Sequence, residues 1–284
     1  MRAVELGRNG LLGIGALAGL ASGLLGVRLA DALPGRYDIQ LIASGRARTR
    51  RNILLCVTAA AIGACLAHLL TLAPDTSIER ATFYFLTNLT LCVAIVTAAA
   101  VDLEHMVLPN ELTLGGALLA LATSHWRGVG LVGSLIGTAV GLALTYLPFV
   151  LYKRLRGRSG MGLGDAKLAL LAGAWLGAEG AIFVVFAAAV QSALCALAMR
   201  MLGLSFAVPA SVRAELEALR AKADAGDEDA KSLLADDPMA ADVGAPALAT
   251  MRLPMGPFLV LACLEFVFAR RQILDLFFRY VAPS

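Results

Sequence analysis

The chain has 284 residues, of which 59% are hydrophobic and 16% are charged, and its mean hydropathy is +0.77. Soluble domains average about 45–50% apolar and about 25% charged residues, so most of this chain is expected to lie in lipid. Its formal net charge of +3 is too small to indicate a nucleic-acid partner.

Apolar runs of membrane-spanning length recur along the chain. A helix needs about 20 apolar residues to cross the ~30 Å hydrocarbon core. Eight runs qualify as candidates, at residues 10–27, 53–73, 81–101, 111–124, 129–151, 167–179, 181–203 and 255–275. The first is long for a signal peptide and is followed by Arg28, so it is predicted to be retained. We therefore predict an all-α, polytopic membrane helix bundle with about eight transmembrane helices.

Basic residues fall mainly between the spans, and their distribution predicts the orientation. Residues 28–52 form a predicted short basic cytoplasmic loop, and a second basic group precedes the sixth run: Lys153, Arg154, Arg156 and Arg158. Both termini are then expected outside. Three arginines near the C-terminus disagree with this count and are expected to snorkel or to lie on an interfacial helix: Arg270, Arg271 and Arg279.

Residues 205–252 differ from the rest in being polar and acidic. Pro209 to Ala223 has the apolar spacing of an amphipathic helix. The segment is predicted to be a polar cytoplasmic insertion, either as a solvated surface or with a gating or docking role. The domains are then a membrane bundle at 1–204, this insertion at 205–252, and a last transmembrane helix with its tail at 253–284.

Two aspartates mark the candidate site. Asp102 ends the third run, and Asp165 begins the sixth, directly after Gly162 and Gly164. A carboxylate in a membrane helix is costly and is a functional hypothesis by default. Glycines remove side chains and permit positive φ, so the backbone at Gly162 and Gly164 is expected to pass close to a bound peptide.

Two neighbouring carboxylates share one proton, which leaves one as a base to activate water and the other as an acid. Such a pair needs no metal or cofactor to hydrolyse a peptide bond. Three alternatives remain: interfacial acids solvated or paired with basic residues, a metal site built from Asp102, His105 and Asp165, and a proton relay in a transporter. The five cysteines lie in apolar runs without a Cys-x-x-Cys pair, so no zinc site is expected.

The sequence around both acids resembles a known family. Asp102 to Asn110, DLEHMVLPN, resembles the first aspartate motif of bacterial type IV prepilin peptidases, and Gly162 to Lys167, GLGDAK, resembles their Gly-x-Gly-Asp motif. Residues 172–177 and 253–258 also resemble the family. The resemblance implies an aspartic endopeptidase of the inner membrane, with Asp102 and Asp165 catalytic at its cytoplasmic face. The implied partners are the bilayer and prepilins or pseudopilins, whose basic leader is removed.

Two departures limit the resemblance. Many members carry a cytoplasmic domain with two Cys-x-x-Cys pairs, which is associated with N-methylation of the new pilin N-terminus. Arg28 to Asn52 contains no cysteine, so N-methyltransferase activity is doubtful. A presenilin-like protease is a nearer rival, since that group shares Gly-x-Gly-Asp, but it typically has tyrosine before the first acid, where this chain has Val101.

Residues beside the aspartates are candidates for binding substrate. Lys167 is predicted to pair with Asp165 or a backbone carbonyl, or to anchor the helix end at the interface. Pro254, Gly256 and Pro257 are predicted either to shape a substrate-facing helix start or to act as a simple helix-start signal, because proline in the first turn loses no internal hydrogen bond. In the loop after Asp102, Asn110 is expected to cap the next helix.

Overall fold

The computed structural model describes residues 2–37, 45–72, 77–156, 162–204, 210–236 and 254–280. These residues form nine α-helices and no β-strand, which confirms the all-α prediction. The helices are α1 (Arg2–Ala32), α2 (Gly45–Thr71), α3 (Ile78–His105), α4 (Asn110–Ala122), α5 (Gly130–Arg156), α6 (Leu163–Met201), α7 (Ala210–Asp224), α8 (Glu228–Asp236) and α9 (Gly256–Tyr280). A short 3-10 helix, Pro34–Tyr37, follows α1.

Five of the helices are long and apolar enough to cross a membrane: α1, α2, α3, α5 and α6. This confirms a polytopic membrane bundle. The helix α4 has only 13 residues and occupies the short fourth run of the prediction. The helix α9 occupies the last one.

A single break divides α6, whose 39 residues are too many for one crossing. Gly177 has φ 80° and ψ −176°, which no α-helix accommodates. We call residues 163–176 α6a and residues 178–201 α6b, and they correspond to the sixth and seventh predicted runs. Glu179 lies beside Arg270 and Gln191 beside Glu265, so α6b runs antiparallel to α9.

The break exposes backbone carbonyls that a continuous helix would pair internally. The Arg127 guanidinium donates to the carbonyls of Ala120 and Trp175, and the Ser134 hydroxyl donates to that of Ala174. Burial lowers the pKa of Arg127 to about 10, which leaves the side chain charged at neutral pH. Side chains from the α4–α5 loop and α5 therefore cap the end of α6a.

Small residues allow the helices to pack closely. In α1 and α2, Gly15 lies against Gly63 and Gly19 against Ala59, with backbone meeting backbone. The same arrangement joins α5 to α6a, where Gly137 meets Gly173. These contacts make two tightly packed pairs, α1–α2 and α5–α6a.

Three polar regions can be compared with their predictions. The predicted loop at 28–52 is largely helical, because α1 extends to Ala32 and α2 begins at Gly45. In the insertion, α7 confirms the predicted amphipathic helix, while residues 237–253 lie outside the described part of the chain. The helix α9 breaks at Ala269, with φ −118° and ψ 19°, and the three C-terminal arginines lie after this break.

Candidate active site

Asp102 lies in the last turn of α3 and is 6% exposed. The helix ends just beyond it because Met106 adopts a left-handed conformation, with φ 52° and ψ 32°. The Met106 N–H donates to the Asp102 carbonyl over 2.7 Å. The chain therefore turns away at once, and the Asp102 carboxylate stays buried at the helix end.

Asp165 lies in the first turn of α6a and is half-buried. Gly162 is the N-cap residue, with φ −73° and ψ 139°, and neither Gly162 nor Gly164 has a positive φ. These glycines do not use the positive φ that glycine permits, and the absence of a side chain is what distinguishes them. A Cβ at Gly164 would lie 3.1 Å from Leu108 Cδ1, so the loop after Asp102 passes directly against the start of α6a.

The end of α3 and the start of α6a lie together, because Leu108, six positions after Asp102, packs on Gly164, the residue before Asp165. A third segment completes the surroundings. Gly256, the first residue of α9, is buried against the Asp102 carboxylate, and any Cβ there would overlap its Oδ2 atom. Pro254 and Pro257 are half-buried on either side. The structure thus brings Gly256 to Asp102, which its position in the sequence did not show.

The side chain of Lys167 joins α6a to α4. Its Nζ donates to the side-chain oxygen Oδ1 of Asn110 over 2.8 Å, rather than to Asp165 or to a backbone carbonyl. The Asn110 N–H in turn donates to the Tyr37 hydroxyl over 2.8 Å. The expected capping role of Asn110 is wrong, because α4 begins at Asn110 itself and Pro109 occupies the N-cap position without a side-chain cap.

Sequence reasoning missed the contacts of the N-terminal helices with this loop. The Tyr37 hydroxyl also donates to Glu111 Oε2 over 3.0 Å. Arg51 of α2 is 7% exposed and bonds both Asp31 of α1 and Glu104 of α3, the latter over 2.8 Å. No local sequence pattern identifies these contacts, because the partners are far apart along the chain. Arg51 and Glu104 are 53 positions apart, and Tyr37 and Glu111 are 74 positions apart.

The metal alternative receives no geometric support within the described ranges. There, no group of three or more histidine, cysteine, aspartate or glutamate side chains could hold a metal ion. His105 Nε2 instead lies 3.8 Å from Glu104 Oε2, and the same Glu104 carboxylate pairs with Arg51.

Residues 89–197 match the sequence profile of the type IV leader peptidase family. The resemblance to that family is confirmed over this segment. Proteins named "Prepilin leader peptidase/N-methyltransferase" are 38% identical over 104 residues in Burkholderia pseudomallei, covering 36% of this chain and 34% of the relative. The Xanthomonas campestris protein of that name is 35% identical over 102 residues, 32% of each chain. The Neisseria gonorrhoeae protein is 31% identical over 115 residues, 40% of each.

The matched leader-peptidase segment covers only part of the site. This chain spans about a third of the length of the first curated relatives it matches, and no solved structure matches it. Both aspartates, Gly162, Gly164 and Lys167 lie within the segment. The α9 residues against Asp102 and the N-terminal residues that contact its loop lie outside it.

Proposed function

We propose that this protein is a membrane aspartic endopeptidase that removes the leader from type IV prepilins or pseudopilins at the cytoplasmic face of the inner membrane. One observation carries the proposal. The loop that follows Asp102 packs against the helix start that carries Asp165, and both acids, 63 positions apart in the sequence, lie in a segment that matches the leader peptidase family.

The reaction follows from one proton shared between two carboxyl groups. The ionised carboxylate takes a proton from water while the resulting hydroxide bonds to the scissile carbonyl carbon. The protonated carboxyl gives its proton to the carbonyl oxygen. When the gem-diol intermediate collapses, the C–N bond breaks and the leaving nitrogen takes a proton from the protonated carboxyl. The other carboxylate takes a proton from a hydroxyl of the intermediate, which restores the single shared proton.

The surrounding residues are suited to holding an extended peptide. Gly162 is exposed and carries no side chain, so substrate backbone has room to approach Asp165. The start of α9, with Pro254, Gly256 and Pro257, borders Asp102 on another side. Lys167 acts through Asn110, fixing α6a against α4. We assign these residues to substrate placement and the two aspartates to bond cleavage.

The proposal covers cleavage and leaves methyl transfer aside. The relatives' names include N-methyltransferase, yet the segment from Arg28 to Asn52 carries no cysteine, and the match covers about a third of those proteins. Mass spectrometry of a co-expressed pilin's mature N-terminus separates the two activities. We expect a cleaved, unmethylated product.

A transporter that uses the acids as a relay is the second candidate function. Transporter sites lie where helices are broken near the bilayer midplane. Here the break at Gly177 lies 12 positions beyond Asp165, about 18 Å along the helix. Arg127 and Ser134 already occupy the carbonyls it exposes. The break therefore does not form a site with the acids.

The deciding experiment replaces each aspartate by asparagine, which keeps shape and removes the titratable proton. Asp102→Asn and Asp165→Asn should each lower cleavage of a prepilin-like substrate in vesicles by at least about 10²–10⁴-fold. Asp275→Asn, an exposed acid near the end of α9, is the matched control and should retain the full rate. Full activity in either dyad variant would refute the mechanism.

A further inference from the structure

The helix α4 is too short for the bilayer that the rest of the bundle fits. Its 13 residues measure about 20 Å at 1.5 Å per residue, against a hydrocarbon core of about 30 Å. The 27 residues of α5 measure about 40 Å by the same rule. The two helices therefore present apolar surfaces of very different height.

Among the described residues, no helix covers the apolar face of α4. Leu114, Leu118 and Leu119 are 39%, 68% and 37% exposed. On the opposite side, Gly116 packs against Leu171 of α6a, with 3.2 Å between its Cβ position and Leu171 Cδ1. In a polytopic membrane bundle, an exposed leucine face of this kind is a lipid contact.

Polar groups limit this face at both ends. At the end near the dyad, Glu111 pairs with Arg36, and their side chains are 37% and 68% exposed. Beyond the other end, His125 is exposed. Placing exposed charges in hydrocarbon is very costly, whereas thinning a bilayer costs little per ångström of mismatch. Thinning at α4 lets both ends reach the headgroup region.

We infer that α4 contacts a locally thinned bilayer, with a hydrocarbon thickness of about 20 Å there and about 30 Å beside α5. The partner is thus ordinary phospholipid compressed along one side of the bundle. This side adjoins α6a, the helix that carries Asp165. The inference does not depend on the proposed reaction, because it concerns lipid contact without substrate.

Spin-label depth measurements test this directly. Nitroxides are attached at Leu118→Cys, on the exposed face of α4, and at Leu142→Cys, near the middle of α5 and 37% exposed. The background replaces Cys56, Cys65 and Cys195 by alanine and keeps Cys92 and Cys263, which are buried from the label. The protein is the full chain in vesicles of dioleoyl phosphatidylcholine.

Depth below the water interface follows from the relative accessibility of the label to oxygen and to a polar nickel complex. We expect about 6 Å at Leu118, which lies four residues from the nearer end of α4, and about 15 Å at Leu142, half the hydrocarbon core. Leu114→Cys, four residues from the opposite end of α4, should read about the same depth as Leu118 and replaces it if that variant fails to fold. Equal depths at Leu118 and Leu142, or water exposure at Leu118, would overturn the inference.

Discussion

Replacing Gly256 by alanine tests how the first turn of α9 holds Asp102. A Cβ at this position overlaps the Oδ2 atom of Asp102 and lies 3.0 Å from its Cγ atom. Favourable carbon contacts are about 3.5–4.0 Å, so the Asp102 carboxylate must move by roughly 1 Å. The neighbour is the end of a side chain with rotatable bonds, and therefore the helices need not separate.

This geometry predicts a large effect on catalysis and a small one on stability. A displacement of about 1 Å at a catalytic group lowers the rate by about 10²-fold. Overpacking typically destabilises by about 1–3 kcal/mol, and the lower end applies here because the Asp102 side chain can rotate away. Gly256→Ala should thus lower kcat/KM about 100-fold while its free energy of unfolding falls by about 1 kcal/mol.

The assay measures initial rates of prepilin cleavage beside thermal unfolding of the same preparation. Gly115→Ala is the matched control, because Gly115 lies in α4 with nothing within 4 Å of its Cβ position, and both readings should stay at the wild-type level. A Gly256→Ala rate within twofold of wild type would refute the contact between α9 and Asp102. Loss of the folded protein would refute the reasoning that the Asp102 side chain yields.

Three further outcomes are expected. Gly137→Ala places its Cβ on the carbonyl oxygen of Gly173, which is backbone, so thermal unfolding should show a loss of about 1–3 kcal/mol or more; Gly133→Ala, with only a Val129 methyl 3.4 Å away, should be close to neutral. Arg127→Met leaves carbonyls at the α6a break unpaired, which should destabilise by about 1–3 kcal/mol for each buried group, with cleavage per folded molecule unchanged. The cleavage rate should be bell-shaped in pH, because both carboxyl groups are protonated at low pH and both are ionised at high pH; a flat profile would contradict the shared-proton mechanism.

The helices and the two acids could be predicted because their signals are local. A membrane-spanning helix can be predicted from the length of its apolar run. An aspartate at the end of such a run can likewise be recognised from the sequence alone. The sequence also predicted two separate apolar runs that meet near Gly177. In the structure these runs are α6a and α6b, the two parts of α6. The conformation of Gly162 was not predictable, because a glycine near a helix start is compatible with either sign of φ.

The contacts between distant segments could not be predicted, because they depend on which helices pack together. Arg51 counted in the sequence as one of several basic residues on the cytoplasmic side. In the structure it is buried between Asp31 and Glu104, which only the packing of α1 and α2 against α3 brings within reach. The sequence around Tyr37 did not predict its contacts, because its partners Asn110 and Glu111 are more than 70 positions away.

The leader-peptidase segment holds both acids, but segments outside it determine where one of them sits. Gly256 packs on the Asp102 carboxylate from α9, and Arg51 bonds Glu104, two positions along from Asp102. Removing one partner of a buried ion pair costs about 3–5 kcal/mol, so the Arg51 pairs are strong constraints on the end of α3. The position of Asp102 therefore depends on contacts from outside the matched segment as well as on the two motifs.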